Sequence, residues 1–441
     1  MAKTNNLTDF LTDVANAIRE KEGSSEAINP QAFSSRILAL QTGGNGGGGL
    51  VAAKDVNFRD YDGTILHSYS KEAFLAISEM PELPTMDGLV CLGWNWSYED
   101  AKSYVEKYGI LEVGAMYITD DGKTRLYVTI DEEDLNNKVC ISYAQSVANG
   151  VVINWGDGSS EESLAASSVT VYHTYPAPGD YRITLEVISG NLGLGRTTGS
   201  KYNVMGQGGN AASRIYSNRL RKVELGSNVK IDGQAFLCCT YLTSVTMPRV
   251  SYLGDNSFYY CHRLKFLTVP DSASYTGEYI FSNNRQLPTV SFTKAVKINA
   301  SPFPGCASLQ VICLPETQAA VPTQFTSACD LFKYVVLPDS ITSMSSQCFY
   351  NNFSMTKIFI PKGVTSIQAT AFSNCYGMQY YDFSKHEAVP SLANKSAFTG
   401  IPSDCKIIVP DALYEDWKVA TNWSNYANNI IKKSDWDTRL N

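Results

Sequence analysis

Ala235-Phe236-Leu237-Cys238-Cys239-Thr240-Tyr241-Leu242-Thr243-Ser244-Val245-Thr246-Met247-Pro248 decides the fold, because its skeleton returns. Phe-x-x-Cys-x-x-Leu-x-x-Val-x-x-Pro reappears as Phe258, Cys261, Leu264, Leu267, Pro270, and as Phe303, Cys306, Leu309, Ile312, Pro315. Phe281, Asn284, Leu287 and Val290 lie between them, without the proline. Cys329, Phe332, Val335, Pro338 continue the series, followed by Phe349, Asn352, Met355, Ile358, Pro361 and by Phe372, Cys375, Met378, Tyr381. Phe398, Ile401, Ile407 and Pro410 form a degenerate last copy, and Leu220 with Val223 a partial first one. The step is 22 or 23 residues until the last, which is 26. A fixed period of this length marks a solenoid of stacked units.

The chemistry of one unit explains the stacking. Each supplies a short strand, such as Ser244 to Met247. Met247, Val269, Phe292, Leu314, Leu337, Ile360 and Phe383 are apolar and stand two residues from Val245 and its equivalents, so both sets point inward. Stacked units form a parallel sheet and bury their apolar faces against each other. The Cys or Asn at 239, 261, 284, 306, 329, 352 and 375 sits where the chain turns off the Phe segment; it is small, and Asn can bond backbone. The outward row reads Ser244, Phe266, Thr289, Val311, Tyr334, Lys357, Tyr380, with Thr246, Thr268, Ser291, Cys313, Val336, Phe359, Asp382 beside it. Aromatics on such a face suit sugar stacking or protein contact. The candidate receptor-binding residues are therefore Phe266, Tyr334, Lys357, Phe359 and Tyr380.

Working outward, residues 411–441 break the pattern and read as a C-terminal cap. Asp411 is placed to cap a helix carrying Leu413 and Trp417, with Trp423, Tyr426 and Ile430 following at helical spacing. Upstream, 191–212 is rich in Gly and Asn and reads as a linker before repeats spanning 213–410. Residues 126–190 read as a β-sandwich, with strands at Val151–Trp155, Val169–Tyr175 and Tyr181–Val187. Residues 51–125 read as a small α+β domain. It holds a hairpin around Asp62-Gly63, helices capped by Ser70 and Ser97, and a second hairpin pairing Met116–Thr119 with Leu126–Val128. Residues 43–50 are a glycine-rich linker, and 1–42 read as two amphipathic helices that serve attachment or oligomerisation. The fold class is multidomain and mostly β.

Composition excludes several functions. The 441 residues carry a net charge of −7, which builds no basic field for nucleic acid. No apolar run reaches the roughly 18 residues of a membrane-spanning helix. Met1 to Phe10 lacks the basic start and apolar stretch of a signal peptide. Four histidines leave few bases or metal ligands. The cysteines number 11, nine of them after residue 235, and read as small buried apolar residues rather than disulfides or zinc ligands.

The repeats resemble the BspA-type leucine-rich repeat, matching even its alanine at Ala235-Phe236, Ala371-Phe372 and Ala397-Phe398. Such repeats occur in bacterial surface adhesins and in phage tail proteins, and the resemblance implies binding. Trp155-Gly156-Asp157-Gly158, His173-Thr174-Tyr175 and Pro178-Gly179-Asp180-Tyr181 resemble a PKD-type sandwich, a non-catalytic spacer. Leu11 to Lys21 with Ile28 to Phe33 resembles a segment that opens tail-associated proteins of phages from gut bacteria, and Gly93-Trp94-Asn95-Trp96 a module found beside it. Together the order resembles a phage tail fibre or receptor-binding protein. That resemblance implies a virion location after synthesis in the host cytoplasm, docking to other tail or baseplate proteins through 1–42, and a homo-oligomer, a trimer in that family. It also implies a host-surface glycan or protein as receptor. The alternative is a BspA-like bacterial cell-surface adhesin.

Chemistry has weaker claims. Asp60-Tyr61-Asp62-Gly63-Thr64 invites the haloacid-dehalogenase reading, but polar residues interrupt the strand before it, and a turn is expected. His173 is expected to be structural and Asp157 a turn former, although a carboxylate at such a turn can join a calcium site. No catalytic constellation, metal site or cofactor motif emerges, and the chain is expected not to be an enzyme. A polysaccharide depolymerase is the enzyme it would most nearly be.

Overall fold

The computed structural model describes residues 54–135, 138–164, 168–195, 203–205 and 218–440. The attachment helices expected in 1–42 and the linker 43–50 lie outside the described residues.

The first module is a four-stranded sheet with two helices. Its strands are β1 (Val56–Arg59), β2 (Ile65–Tyr69), β3 (Leu89–Trp94) and β4 (Leu111–Thr119), ordered β2-β1-β4-β3. The β1–β2 pair is antiparallel around the Asp62-Gly63 turn, where Asp62 Oδ1 accepts from the Thr64 amide at 2.9 Å. The helices are α1 (Lys71–Ala76) and α2 (Tyr98–Tyr108). Ser70 and Ser97 cap them, each hydroxyl accepting a backbone amide at 3.2 Å. Gly109, at φ 84°, closes α2 in the left-handed conformation.

The expected second hairpin is not one. Met116–Thr119 is the end of β4, whereas Leu126–Val128 belongs to β5 (Thr124–Ile130) in a different sheet. The Asp120-Asp121-Gly122 turn carries the chain from the α+β module into the sandwich. Arg125 holds it there through ion pairs to Asp120 at 2.6 Å and Asp121 at 3.0 Å.

The sandwich continues with β6 (Val139–Gln145), β7 (Val151–Asn154), β8 (Glu162–Ser163), β9 (Ser168–His173), β10 (Gly179–Val187) and β11 (Leu192–Leu194). Leu192–Leu194 falls in the stretch expected to be a linker; these residues form a strand because all three are buried and pair with β6. The repeats begin with β12 (Leu220–Glu224) and β13 (Val229–Ile231). β12 pairs antiparallel with β5, and β13 pairs parallel with β11. Both sheets of the sandwich therefore run on into the solenoid, covering its first edge. One apolar core extends from Leu126 to Ile430.

Beyond that junction each turn presents two narrow strands. One file comprises β14 (Ser244–Thr246), β18 (Val311–Cys313), β20 (Tyr334–Val336), β22 (Lys357–Phe359), β24 (Tyr380–Asp382) and β26 (Lys406–Val409), with Thr268 and Ser291 joined by a single bridge. The other comprises β15 (Tyr252–Leu253), β16 (Tyr275–Thr276), β17 (Lys297–Ile298), β19 (Ala320–Val321), β21 (Ser343–Met344), β23 (Ser366–Ile367) and β25 (Ser391–Leu392). The solenoid has about nine turns. The inward positions read from sequence are all buried.

The Phe side chains stack along the axis, with ring centroids 5.2 Å apart for Phe236–Phe258 and 5.4 Å for Phe349–Phe372. The Cys and Asn positions bond each turn to the one before. Cys261 Sγ donates to the Phe236 carbonyl at 3.1 Å, Cys306 to Phe281 at 3.0 Å, Cys375 to Phe349 at 3.1 Å, and Asn284 to Phe258 at 3.0 Å. One unit differs. Thr326 stands at the sequence position of the Phe, the neighbouring Phe325 supplies the buried ring between Phe303 and Phe349 at 5.7 and 6.0 Å, and Asn352 Nδ2 donates to the Thr326 hydroxyl at 2.9 Å. From Phe236 to Phe372 two residues flanking each slot adopt positive φ, such as Tyr260 and Asn256, or Ala328 and Gln324. These left-handed residues turn the chain sharply around the aromatic.

The C-terminal cap departs from its expected form. Asp411 caps no helix through its side chain; α3 (Tyr414–Val419) has no side-chain cap. Asp411 Oδ1 instead accepts the Ser434 amide at 3.0 Å, beside the start of α4 (Lys433–Leu440). Ile430 lies in β27 (Ile430–Lys432), a further strand pairing with β26. Trp417 and Trp423 are fully buried, and Trp423 Nε1 donates to the Pro390 carbonyl at 2.7 Å. The indole thus satisfies a carbonyl at the end of the stack.

Candidate binding groove

The α+β module docks on the outward face of the β14–β20 file. Its clasp is Asn95-Trp96. Asn95 Nδ2 donates to the Val269 carbonyl at 3.0 Å and to Ser291 Oγ at 2.9 Å, while its Oδ1 accepts the Gly114 amide at 2.9 Å. Ser291 Oγ donates onward to the Glu112 carbonyl at 2.7 Å. Trp96 Nε1 donates to the Phe292 carbonyl at 2.7 Å, and Tyr104 OH to the Leu314 carbonyl at 2.8 Å. β4 passes so close to the solenoid that a Cβ at Gly114 would stand 2.1 Å from Thr268 Oγ1. Only glycine fits there. At the rim Lys294 pairs with Asp100 at 2.6 Å.

This docking corrects the expected binding face. Phe266 is 0% exposed; the Arg59 guanidinium lies 5.8 Å from its ring centroid. Ser244, Thr246, Thr268, Thr289, Ser291, Cys313 and Val336 are buried as well. Cys313 and Val336 have joined the α+β module's own core, and Tyr334 is half-buried against it. The remaining candidates stay accessible at the C-terminal end. Lys357 is exposed, Phe359 is 51% exposed, and Tyr380 is half-buried. Tyr380 packs between Phe359 and Trp436, at centroid distances of 6.1 and 5.1 Å.

A groove of about 750 Å³ adjoins them. It is lined by Lys107 and Tyr108 from the end of α2, by Tyr334 to Leu337, and by Phe359 to Lys362. Asp339, Asp382, Ser384, Lys385 and Glu387 complete the lining. Lys107 and Tyr108 escaped the sequence reading because they lie more than 200 residues from the repeats they approach; Lys107 pairs with Glu316 at 3.1 Å. Lys362 pairs with Glu387 at 3.1 Å, and Asp382 Oδ1 accepts the Ser384 amide at 2.8 Å. The lining combines aromatic surface with paired charges, a composition suited to reversible recognition.

The residues that invited catalysis make structural contacts. Asp60 is buried and accepts from Tyr117 OH at 2.6 Å; burial raises its carboxyl above the usual range against that bond. His173 Nε2 donates to Asp157 Oδ2 at 2.7 Å, and its ring stacks on Trp155 with centroids 4.7 Å apart. Asp157 Oδ1 also accepts from the Ser159 amide and hydroxyl, which closes the turn. None of the 11 cysteines is in a disulfide, and every one but Cys91 is buried. Among the described residues no group of three or more His, Cys, Asp or Glu could hold a metal ion, and no helix is long and apolar enough to cross a membrane.

No curated protein matches the chain. Three solved structures are similar to part of it. A leucine-rich repeat protein from Bacteroides ovatus shares 20% identity over 47% of this chain and 59% of its own, with a TM-score of 0.40. A leucine rich cell surface protein from Faecalibacterium prausnitzii shares 30% identity over 38% of this chain and 45% of its own, with a TM-score of 0.34. The leucine-rich repeat protein of T. pallidum shares 20% identity over 36% and 78%, with a TM-score of 0.33. The chain thus spans less than two thirds of the first two. The family model of the BspA type leucine rich repeat region matches residues 213–330 and 296–415. The solenoid that carries the groove is a BspA-type leucine-rich repeat region.

Proposed function

We propose that the chain is a non-enzymatic, BspA-like surface-adhesion protein that engages its target through the groove at the C-terminal end of the solenoid. One observation carries this reading. The α+β module covers the outward strand face as far as Val336, while Lys357, Phe359 and Tyr380 stay accessible beside the groove. The sandwich acts as cap and spacer. Adhesion then works through individually weak contacts multiplied over many copies on one surface.

A second reading places the same architecture on a phage tail. The resemblance of Leu11 to Lys21 to tail-associated segments, followed by the glycine tether, favours it. In that case residues 1–42 dock to tail or baseplate proteins and to sister chains in a trimer, and the groove meets the host surface.

Immunogold electron microscopy of the source culture, with antibody against residues 218–440, tests both. Gold on the cell envelope supports the adhesin. Gold on free tailed particles moves the protein to the virion. Gold on neither surface overturns the adhesion reading.

A further inference from the structure

We infer that the groove takes a neutral, hydroxyl-rich carbohydrate chain, a reading that rests on the adhesion function above and names its ligand class. The charges in and beside the groove cancel: Lys107, Lys357, Lys362 and Lys385 stand against Glu316, Asp339, Asp382 and Glu387. Two of those lysines are already held in ion pairs, Lys107 by Glu316 and Lys362 by Glu387. A polyanion would find no uncompensated cationic field there, and a polycation no acidic one.

What the groove and its rim offer is aromatic surface beside hydrogen-bonding groups: Phe359 and Asp382 line the groove, while Tyr380 and Lys357 stand beside it, outside the lining. Phe359, half exposed, and Tyr380 meet edge to face at an interplanar angle of 79°. An aromatic face carries negative potential and attracts the slightly positive C–H groups on one face of a pyranose ring. Asp382 lies across from Phe359 in the β22–β24 register, and Lys357 across from Tyr380. The Asp382 oxygen turned away from Ser384 accepts a sugar hydroxyl, and the Lys357 ammonium donates to a sugar oxygen. The volume falls within the range of about 300–1,000 Å³ usual for ligand sites. Because Lys107 and Tyr108 come from α2, the site is complete only when the α+β module is docked.

Affinity electrophoresis of the full chain tests this, in gels containing soluble starch, galactomannan or xylan, with dextran sulfate, polygalacturonate and gelatin as alternatives. At least one neutral polysaccharide should retard the protein. Phe359→Ala should weaken that retardation at least tenfold, while Phe353→Ala, an exposed aromatic outside the groove, should stay within twofold. Circular dichroism checks that both variants fold. Retardation by none of the neutral polymers, by polyanions alone or by gelatin alone overturns the inference, as does unchanged retardation of Phe359→Ala. Such a failure with gold on a cell or particle surface removes the carbohydrate and leaves adhesion standing. Absence of gold from every surface removes adhesion itself.

Discussion

The side-chain amide of Asn95 reaches the backbone carbonyl of Val269 at 3.0 Å, joining residues 174 positions apart in a buried contact between two modules. The same side chain serves Ser291 and Gly114, so all its hydrogen-bonding groups in the contact are used at once.

Asn95→Ala should therefore be costly. It strands the Gly114 amide, and each buried polar group left without a partner costs about 1–3 kcal/mol. We expect a loss of about 2 kcal/mol or more in chemical denaturation, together with faster proteolysis at the Asp120–Lys123 turn. Asn95→Asp should recover only part, because the carboxylate can accept from Gly114 but cannot donate to Val269.

The Cys and Asn positions should be interchangeable. Cys306→Asn should stay within about 1 kcal/mol of the parent, since Asn284 already makes the same bond one turn earlier. Cys306→Ala, which loses the bond and leaves a small void, should cost about 1–2 kcal/mol in the same assay. Burial pushes the Cys306 thiol up to about 12. In the native protein Ellman's reagent should therefore reach at most Cys91, and denaturation should release the rest.

Backbone conformation gives an opposed pair of outcomes. Gly305 has a φ of 72°, and a Cβ there would stand 2.6 Å from Asn283 Oδ1. Gly305→Ala should destabilise by at least about 1 kcal/mol. Ala328 holds the equivalent left-handed position at 57° with a Cβ it does not need, so Ala328→Gly should stabilise by up to about 1 kcal/mol. Thermal melts of the two variants should shift in opposite directions.

Acid should loosen the sandwich through Asp157. Burial alone would raise its carboxyl, but the bonds from Ser159 and His173 outweigh burial and hold it at about 2, against 3.8 for an ordinary aspartate. The unfolded chain thus binds the proton more readily than the folded one, and stability falls as pH drops. The contribution is complete above about pH 4 and is lost between about 4 and 2. Asp157→Asn should flatten this part of the stability profile, at a cost of about 1–2 kcal/mol at pH 7.

How much of this could be read beforehand follows from the range of each interaction. The repeat was legible because stacking demands the same side chain every turn, so Phe236, Cys239, Leu242 and Val245 announce themselves by period. Even there, Thr326 replaced an aromatic and Phe325 stood one residue away from the expected slot. Ser70, Ser97 and Asp62 were legible because caps and tight turns are local. Docking of the α+β module was not. Asn95, Gly114, Thr268 and Ser291 recognise one another through shape and hydrogen bonds across long separations, and none of them is unusual in its own neighbourhood. Phe266 was therefore assigned to a free surface that its own chain covers. Ile430 followed helical spacing from Trp423, yet the open edge of β26 made it a strand.

The continuity of the two sheets also has a mechanical side. Leu126 is paired with Val223 in one sheet and Leu192 with Val229 in the other, so sandwich and solenoid share two ladders at their joint. To bend there, the molecule must stretch one ladder while compressing the other, as in the flanges of a beam. A load applied at the sandwich reaches the far end as a push or a twist instead of being lost at a hinge. The distal turns are thus carried on a stiff strut, and many such struts standing on one surface would share a shear load among them.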